Sequence, residues 1–123
     1  MKLQTAPSDG QNTFTGYGDG YVGVNGTRYT ANVAVLPGRL IADWTQASFD
    51  TLSAADFEFL AGLDAEIILL GTGKQIRFPR PELLRPLIQA CKGLEVMDLQ
   101  AACRTYNILH GEGRKVAAAL LFS

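Results

Sequence analysis

The chain is predicted to be an α/β domain, with a β meander in its first half and βαβ crossovers in its second. Two observations carry this. Between Thr13 and Trp44, short apolar runs are separated by turn signals every few residues, the pattern of strand following strand. After Trp44 the period changes, and strand-length apolar runs alternate with segments whose apolar residues return at helical spacing.

Residues 1–11 are polar, contain Pro7 and Gly10 and offer nothing to bury, so a flexible amino-terminal arm is expected there, followed by one domain over 12–123. Strands are then expected at Thr13 to Gly18, Tyr21 to Val24, Thr27 to Thr30, Asn32 to Leu36 and Leu40 to Trp44. Asn25-Gly26 is the two-residue hairpin signal, because both central positions of that turn need positive φ. Pro37-Gly38 makes a second turn, Pro fixing one φ and Gly tolerating the next. Ser53 precedes a short helix from Ala54 to Ala61, stopped by Gly62. Glu66 to Leu70 reads as a central strand, since it is continuously apolar after its first residue. Pro81 to Lys92 reads as a helix, with Pro86 tolerated only if the regular turns begin late enough to place it in the first one. Leu94 to Met97 is a further strand, and Asp98 caps a helix in which Leu99, Cys103, Tyr106 and Leu109 share a face up to Gly111. Val116 to Phe122 closes the chain as a last strand.

Eleven Lys and Arg against twelve Asp and Glu leave no basic stripe of the kind that follows a phosphate backbone, which argues against nucleic acid as a partner. Cys91 and Cys103 lack the paired spacing of a zinc site or a disulfide framework, so a reducing compartment fits. No run reaches the roughly 18 apolar residues of a membrane span, and residues 1–12 lack a signal-peptide core. A cytoplasmic protein that is not integral to a membrane is expected.

Ligands of open α/β sheets sit beyond the carboxyl ends of the strands. Two such ends are visible, at Gly71-Thr72-Gly73 and at Asp98. If their strands are neighbours, the glycine turn and the start of the next helix face one crevice, with backbone amides available to an anion. The plainer alternatives are a tight turn for the glycines and an ordinary helix cap for Asp98. Arg104, Thr105 and Asn107 lie on the helix that would overlook this crevice, and Arg77 and Arg80 follow the glycine turn. They are candidates to clamp an acidic ligand, or else to bond the fold's own loops and carboxylates. His110, in the last turn of its helix, suits a dipole-favoured surface position. No nucleophile elbow or metal-ligand set is present, so no catalytic residue, metal or cofactor is assigned. Trp44, Tyr17, Tyr21 and Tyr29 either pack in the core or form an aromatic surface for a partner.

The succession Gly71-Thr72-Gly73, Arg77-Phe78-Pro79 and Pro81-Glu82-Leu83-Leu84 continues into Val96-Met97-Asp98 and the run from Ala101 to Leu109. Glu112-Gly113-Arg114 and Val116 to Leu120 complete the pattern. It resembles the Mth-domain family, which includes mitochondrial complex I assembly factor 3 and the adipogenesis-associated Mth domain-containing protein. The resemblance runs from about Asn12 to Leu121. It implies a three-layer α/β fold, with a central mixed sheet and a β-rich layer from the first half. The mitochondrial relative assists assembly of a respiratory complex by binding another assembly factor, but the resemblance brings no catalytic residues with it. Two expectations follow: a non-enzymatic binding or assembly module with a protein partner, or an anion binder or enzyme using the crevice of Gly71, Thr72, Gly73, Asp98, Arg104, Thr105 and Asn107.

Overall fold

In the computed structural model, which describes residues 10–122, the turn dipeptides of the first half form hairpin corners. Of the arm expected at 1–11, all but Gly10 and Gln11 lies outside the described residues. Asn25 and Gly26 occupy the two positive-φ positions, at 50° and 85°. This turn helps set β1 (Phe14–Gly18), β2 (Tyr21–Val24) and β3 (Thr27–Tyr29) into an antiparallel three-stranded sheet. Across Pro37 and Gly38, β4 (Val33–Leu36) pairs with β5 (Arg39–Ala42). These two strands leave the first sheet for a second, five-stranded one.

The larger sheet also holds β6 (Ile67–Gly71), β7 (Gly93–Met97) and β8 (Val116–Leu120), in the order β5-β4-β8-β6-β7. It is mixed: β6 runs parallel to β7 and β8, and β4 runs antiparallel to β8. The first-half strands divide as they do because β4 is buried along its whole length. A strand apolar on both sides has to be covered on both. Val33, Val35, Leu69, Val116, Ala118 and Leu120 face one core, with the helix α3 (Leu99–Gly111) and the small sheet. Ala34, Leu36, Ile68, Leu70, Ala117 and Ala119 face the other, with α1 (Ala54–Ala61) and α2 (Arg85–Gln89). Two cores on one sheet make the three layers.

The crossover from β6 through α2 to β7 moves outward along the sheet, and that from β7 through α3 to β8 moves back past β6. Keeping both right-handed requires their helices on opposite faces. That is where the two cores place them.

Several boundaries differ from expectation. Pro81 to Lys92 is not one helix but a 3-10 turn, Pro81–Leu84, followed by the five residues of α2. Pro86 lacks an amide to bond the carbonyl of Glu82 and crowds it, so regular turns begin only at Arg85. The central strand lies one residue later than expected and takes in Gly71. The fifth strand ends at Ala42, because Asp43 turns the chain with φ at 51°. Trp44 therefore leaves the strand and enters the core, where its Nε1 donates to the Leu120 carbonyl at 3.0 Å. Of the other strands, β7 begins one residue early at Gly93, and β1, β3, β4 and β8 are trimmed by one or two residues. Among the described residues no helix is long and apolar enough to cross a membrane.

Candidate functional site

Because β6 and β7 are parallel neighbours, their carboxyl ends lie side by side. The chain leaves them toward opposite faces, and an open cleft of about 950 Å³ forms there. One wall is the loop after β6, with Thr72, Gly73, Lys74, Gln75 and Arg77. The start of α3, Asp98 to Gln100, makes a second. The turn between β1 and β2, Gly18 to Gly20, and Phe122 complete it.

Gly71 lies beneath the cleft as the last residue of β6, and α3 crosses it closely. A Cβ there would come 2.7 Å from Leu120 Cδ2 and 3.1 Å from Ala102 Cβ. Thr72 is 1% exposed and its groups are spent within the fold. Its amide donates to the Met97 carbonyl at 2.9 Å, tying the two strand ends together. Its hydroxyl donates to the Gln75 carbonyl at 2.6 Å and accepts from the Arg77 amide at 3.0 Å. Gly73 takes φ of 87°, which lets its carbonyl accept from the Leu99 amide at 2.8 Å. Asp98 caps α3, accepting from the Ala101 amide at 2.9 Å. Of the first three amides of α3, Leu99 and Ala101 are thus engaged by the loop and the cap, and Ala102 makes the first regular helical bond, to the Asp98 carbonyl.

Arg104, Thr105 and Asn107 do not reach the cleft. Six residues of helix carry Arg104 about 9 Å along α3 from Asp98, and its guanidinium donates to the Tyr17 hydroxyl at 2.9 Å. Thr105 is half-buried on the same helix. Asn107 clamps the backbone of Phe14: its Oδ1 accepts from the amide at 2.9 Å and its Nδ2 donates to the carbonyl at 2.8 Å. Arg77 does line the cleft, with its guanidinium 4.6 Å from the Phe49 ring centre and 3.9 Å from Asp50. Arg80 lies farther along the loop, 4.0 Å from Glu82.

Sequence reasoning missed Asp19, Lys74, Gln75, Gln100 and Phe122. Asp19-Gly20 is a hairpin dipeptide and is the signal that could have shown a turn there, but only the tertiary structure places that turn opposite Lys74. Lys74 and Asp19 approach within 3.7 Å across the cleft, both well exposed. The lining thus carries Lys74 and Arg77 against Asp19 and Asp98, with no excess of either sign.

Elsewhere, Cys103 is fully buried, and desolvation pushes its thiol up from 9.0 to about 12, Arg104 opposing and Asp98 adding to the rise. Burial also raises the Tyr106 phenol. Cys91 is exposed and unpaired with Cys103. His110 stacks on Tyr106 with ring centres 5.9 Å apart. Tyr17 and Trp44 are buried in opposite cores, and Tyr21 and Tyr29 are half-buried, so no shared aromatic surface forms. Among the described residues the exposed large apolar ones are instead Ile76, Phe78, Ile88 and Ile108.

A family model described as protein of unknown function (DUF498/DUF598) matches residues 14–121. The chain belongs to this family. Among curated proteins, bovine NADH dehydrogenase [ubiquinone] 1 alpha subcomplex assembly factor 3 is 35% identical over 100 residues, 80% of this chain and 54% of that protein. The chain thus spans about half the length of the curated relative. A crystal structure of a Bordetella parapertussis protein superposes with a TM-score of 0.86 at 42% identity, covering 95% of this chain and 100% of that one. A Bordetella pertussis solution structure, described as a Mth938-like domain, gives 0.80 at 38% identity, covering 98% and 92%. The family resemblance and the Mth-like three-layer fold both hold.

Proposed function

We propose that this member of the family is a non-enzymatic binding module that assists assembly of a larger protein complex. The observation that carries the reading is its 35% identity with the bovine complex I assembly factor over 80% of the chain. Whether the complex served here is a respiratory one is part of the proposal, since the match spans 54% of that relative. The cleft adds support. Thr72, Gly73 and Asp98, the polar groups expected to meet a small ligand, hold the β6 and β7 ends and the α3 start together instead.

The test is co-purification of the tagged full chain from its own cell lysate, beside an Arg104→Ala variant, read by mass spectrometry. A stoichiometric protein partner retained by both versions is expected; its absence from the wild-type purification overturns the reading. Cytoplasmic location belongs to the same proposal, with the chain expected in the soluble fraction of that lysate.

A second reading is a small-anion site, supported by Lys74 and Arg77 both lining the cleft beside the glycine turn. It requires a calorimetric heat of binding for inorganic phosphate that vanishes when Lys74 and Arg77 are both replaced by alanine.

A further inference from the structure

The segment after the glycine turn has no regular secondary structure, yet it follows a period. From residue 76 to residue 80, exposure alternates: Ile76, Phe78 and Arg80 are exposed, and Arg77 and Pro79 between them are half-buried. Successive side chains of an extended chain point to opposite sides, and this is their signature. The inward side is anchored. The Arg77 amide is bonded to Thr72 Oγ1, its guanidinium packs over Phe49, and the Arg80 carbonyl accepts from the Leu83 amide at 3.0 Å. The outward side presents Ile76 at 50% exposure and Phe78 at 71% on that held backbone. Large apolar side chains displayed together are what protein contacts bury, aromatic ones above all.

Charge specifies the partner's chemistry. Between residues 74 and 85 stand four bases, Lys74, Arg77, Arg80 and Arg85, against the single acid Glu82; the fold adds Asp19 and Asp50, 3.7 and 3.9 Å from Lys74 and Arg77, and the bases still outnumber the acids beside them. We infer that the outward row of Ile76, Phe78 and Arg80 is the docking surface for another protein, whose docked segment is apolar and acidic. This rests on the binding-module reading above. The apolar part of the segment covers Ile76 and Phe78 while its carboxylates meet Arg80 and Lys74. The ion pairs that those bases already make, at 4.0 and 3.7 Å, are solvent-exposed and exchange at little cost. A second copy of this chain is disfavoured, because a two-fold contact sets the same patch against itself and base against base.

The test introduces the photocrosslinker p-benzoylphenylalanine at position 78 of the full chain in its own cells, with the same group at exposed position 58 on α1 as control. The expected result is a light-dependent adduct from position 78 whose partner peptide carries large apolar residues and more acids than bases. An Ile76→Ser, Phe78→Ser double variant with unchanged thermal unfolding is expected to lose about tenfold or more of the co-purified partner. Cross-linking to another copy of this chain, to a basic segment, or to nothing overturns the inference. A partner that co-purifies undiminished with the double variant also overturns it, and leaves the binding-module reading standing. If no partner co-purifies with the wild-type chain, both fall.

Discussion

A methyl group added at Gly71 would meet Ala102 Cβ and Leu99 Cα, which α3 fixes, and a Leu120 side chain that is itself fully buried. Overpacking of this kind costs about 1–3 kcal/mol, more than the few tenths to 1 kcal/mol that alanine gains by stiffening the unfolded chain. Gly71→Ala is therefore expected to lower the urea midpoint with the slope unchanged. Cys103 sets a pH dependence. Its thiol ionises near 9.0 when unfolded and near 12 in the fold. The group's contribution to stability is full below pH 9.0 and is lost as pH climbs toward 12, at up to about 1.4 kcal/mol per pH unit. Tyr106 acts in the same direction. Urea titrations through that window should show a shallower decline for Cys103→Ala. At about pH 8, a thiol reagent should label exposed Cys91 quickly and Cys103 only on unfolding.

At the scale of elements, α3 works as a clamp. Asn107 holds both backbone groups of Phe14, and the neighbouring Tyr106 hydroxyl donates to the Asn12 carbonyl at 2.9 Å. These bonds attach the small sheet to the helix just where β1 begins. Asn107→Ala leaves the amide and carbonyl of Phe14 without these partners, at a cost of about 1–3 kcal/mol. Amide exchange should then quicken in β1 and β2 well before it does in β6. A variant in which exchange quickens in neither sheet relative to the other would show that the clamp is redundant. The short α2 has the opposite character, since prolines at 81 and 86 confine it and its stability comes from Leu83 and Leu87 in the core.

For the whole molecule, the mixed sheet separates two cores and its middle strands belong to both. β8 is buried at every residue, and β6 at every residue but its first. The edge strands β5 and β7 contain exposed positions. Opening the centre disrupts both cores at once, so native-state exchange should be slowest in β6 and β8 and faster in β5 and β7. Equal protection across the sheet would contradict this picture. The cleft forms where the neighbouring parallel strands β6 and β7 send the chain to opposite faces, and the loop from Lys74 to Arg80, with three bases and no acid of its own, extends from it.

Local chemistry was enough to read most elements from the sequence. Asn25-Gly26, Pro37-Gly38, the Asp98 cap and the doubly apolar run into β6 each have a physical cause within a few residues of themselves. The family resemblance supplied the layers. Neither could show that the first five strands divide between two sheets, because β4 joins β8 across some 80 residues of chain. Nor could they place Asp19 against Lys74, or aim Arg104 at Tyr17 and Asn107 at Phe14, away from the crevice. A side chain's partner is chosen by the register and crossing of elements distant in sequence. That choice, made only in the tertiary structure, turned the expected ligand groups into struts of the fold and left Ile76 and Phe78 facing outward.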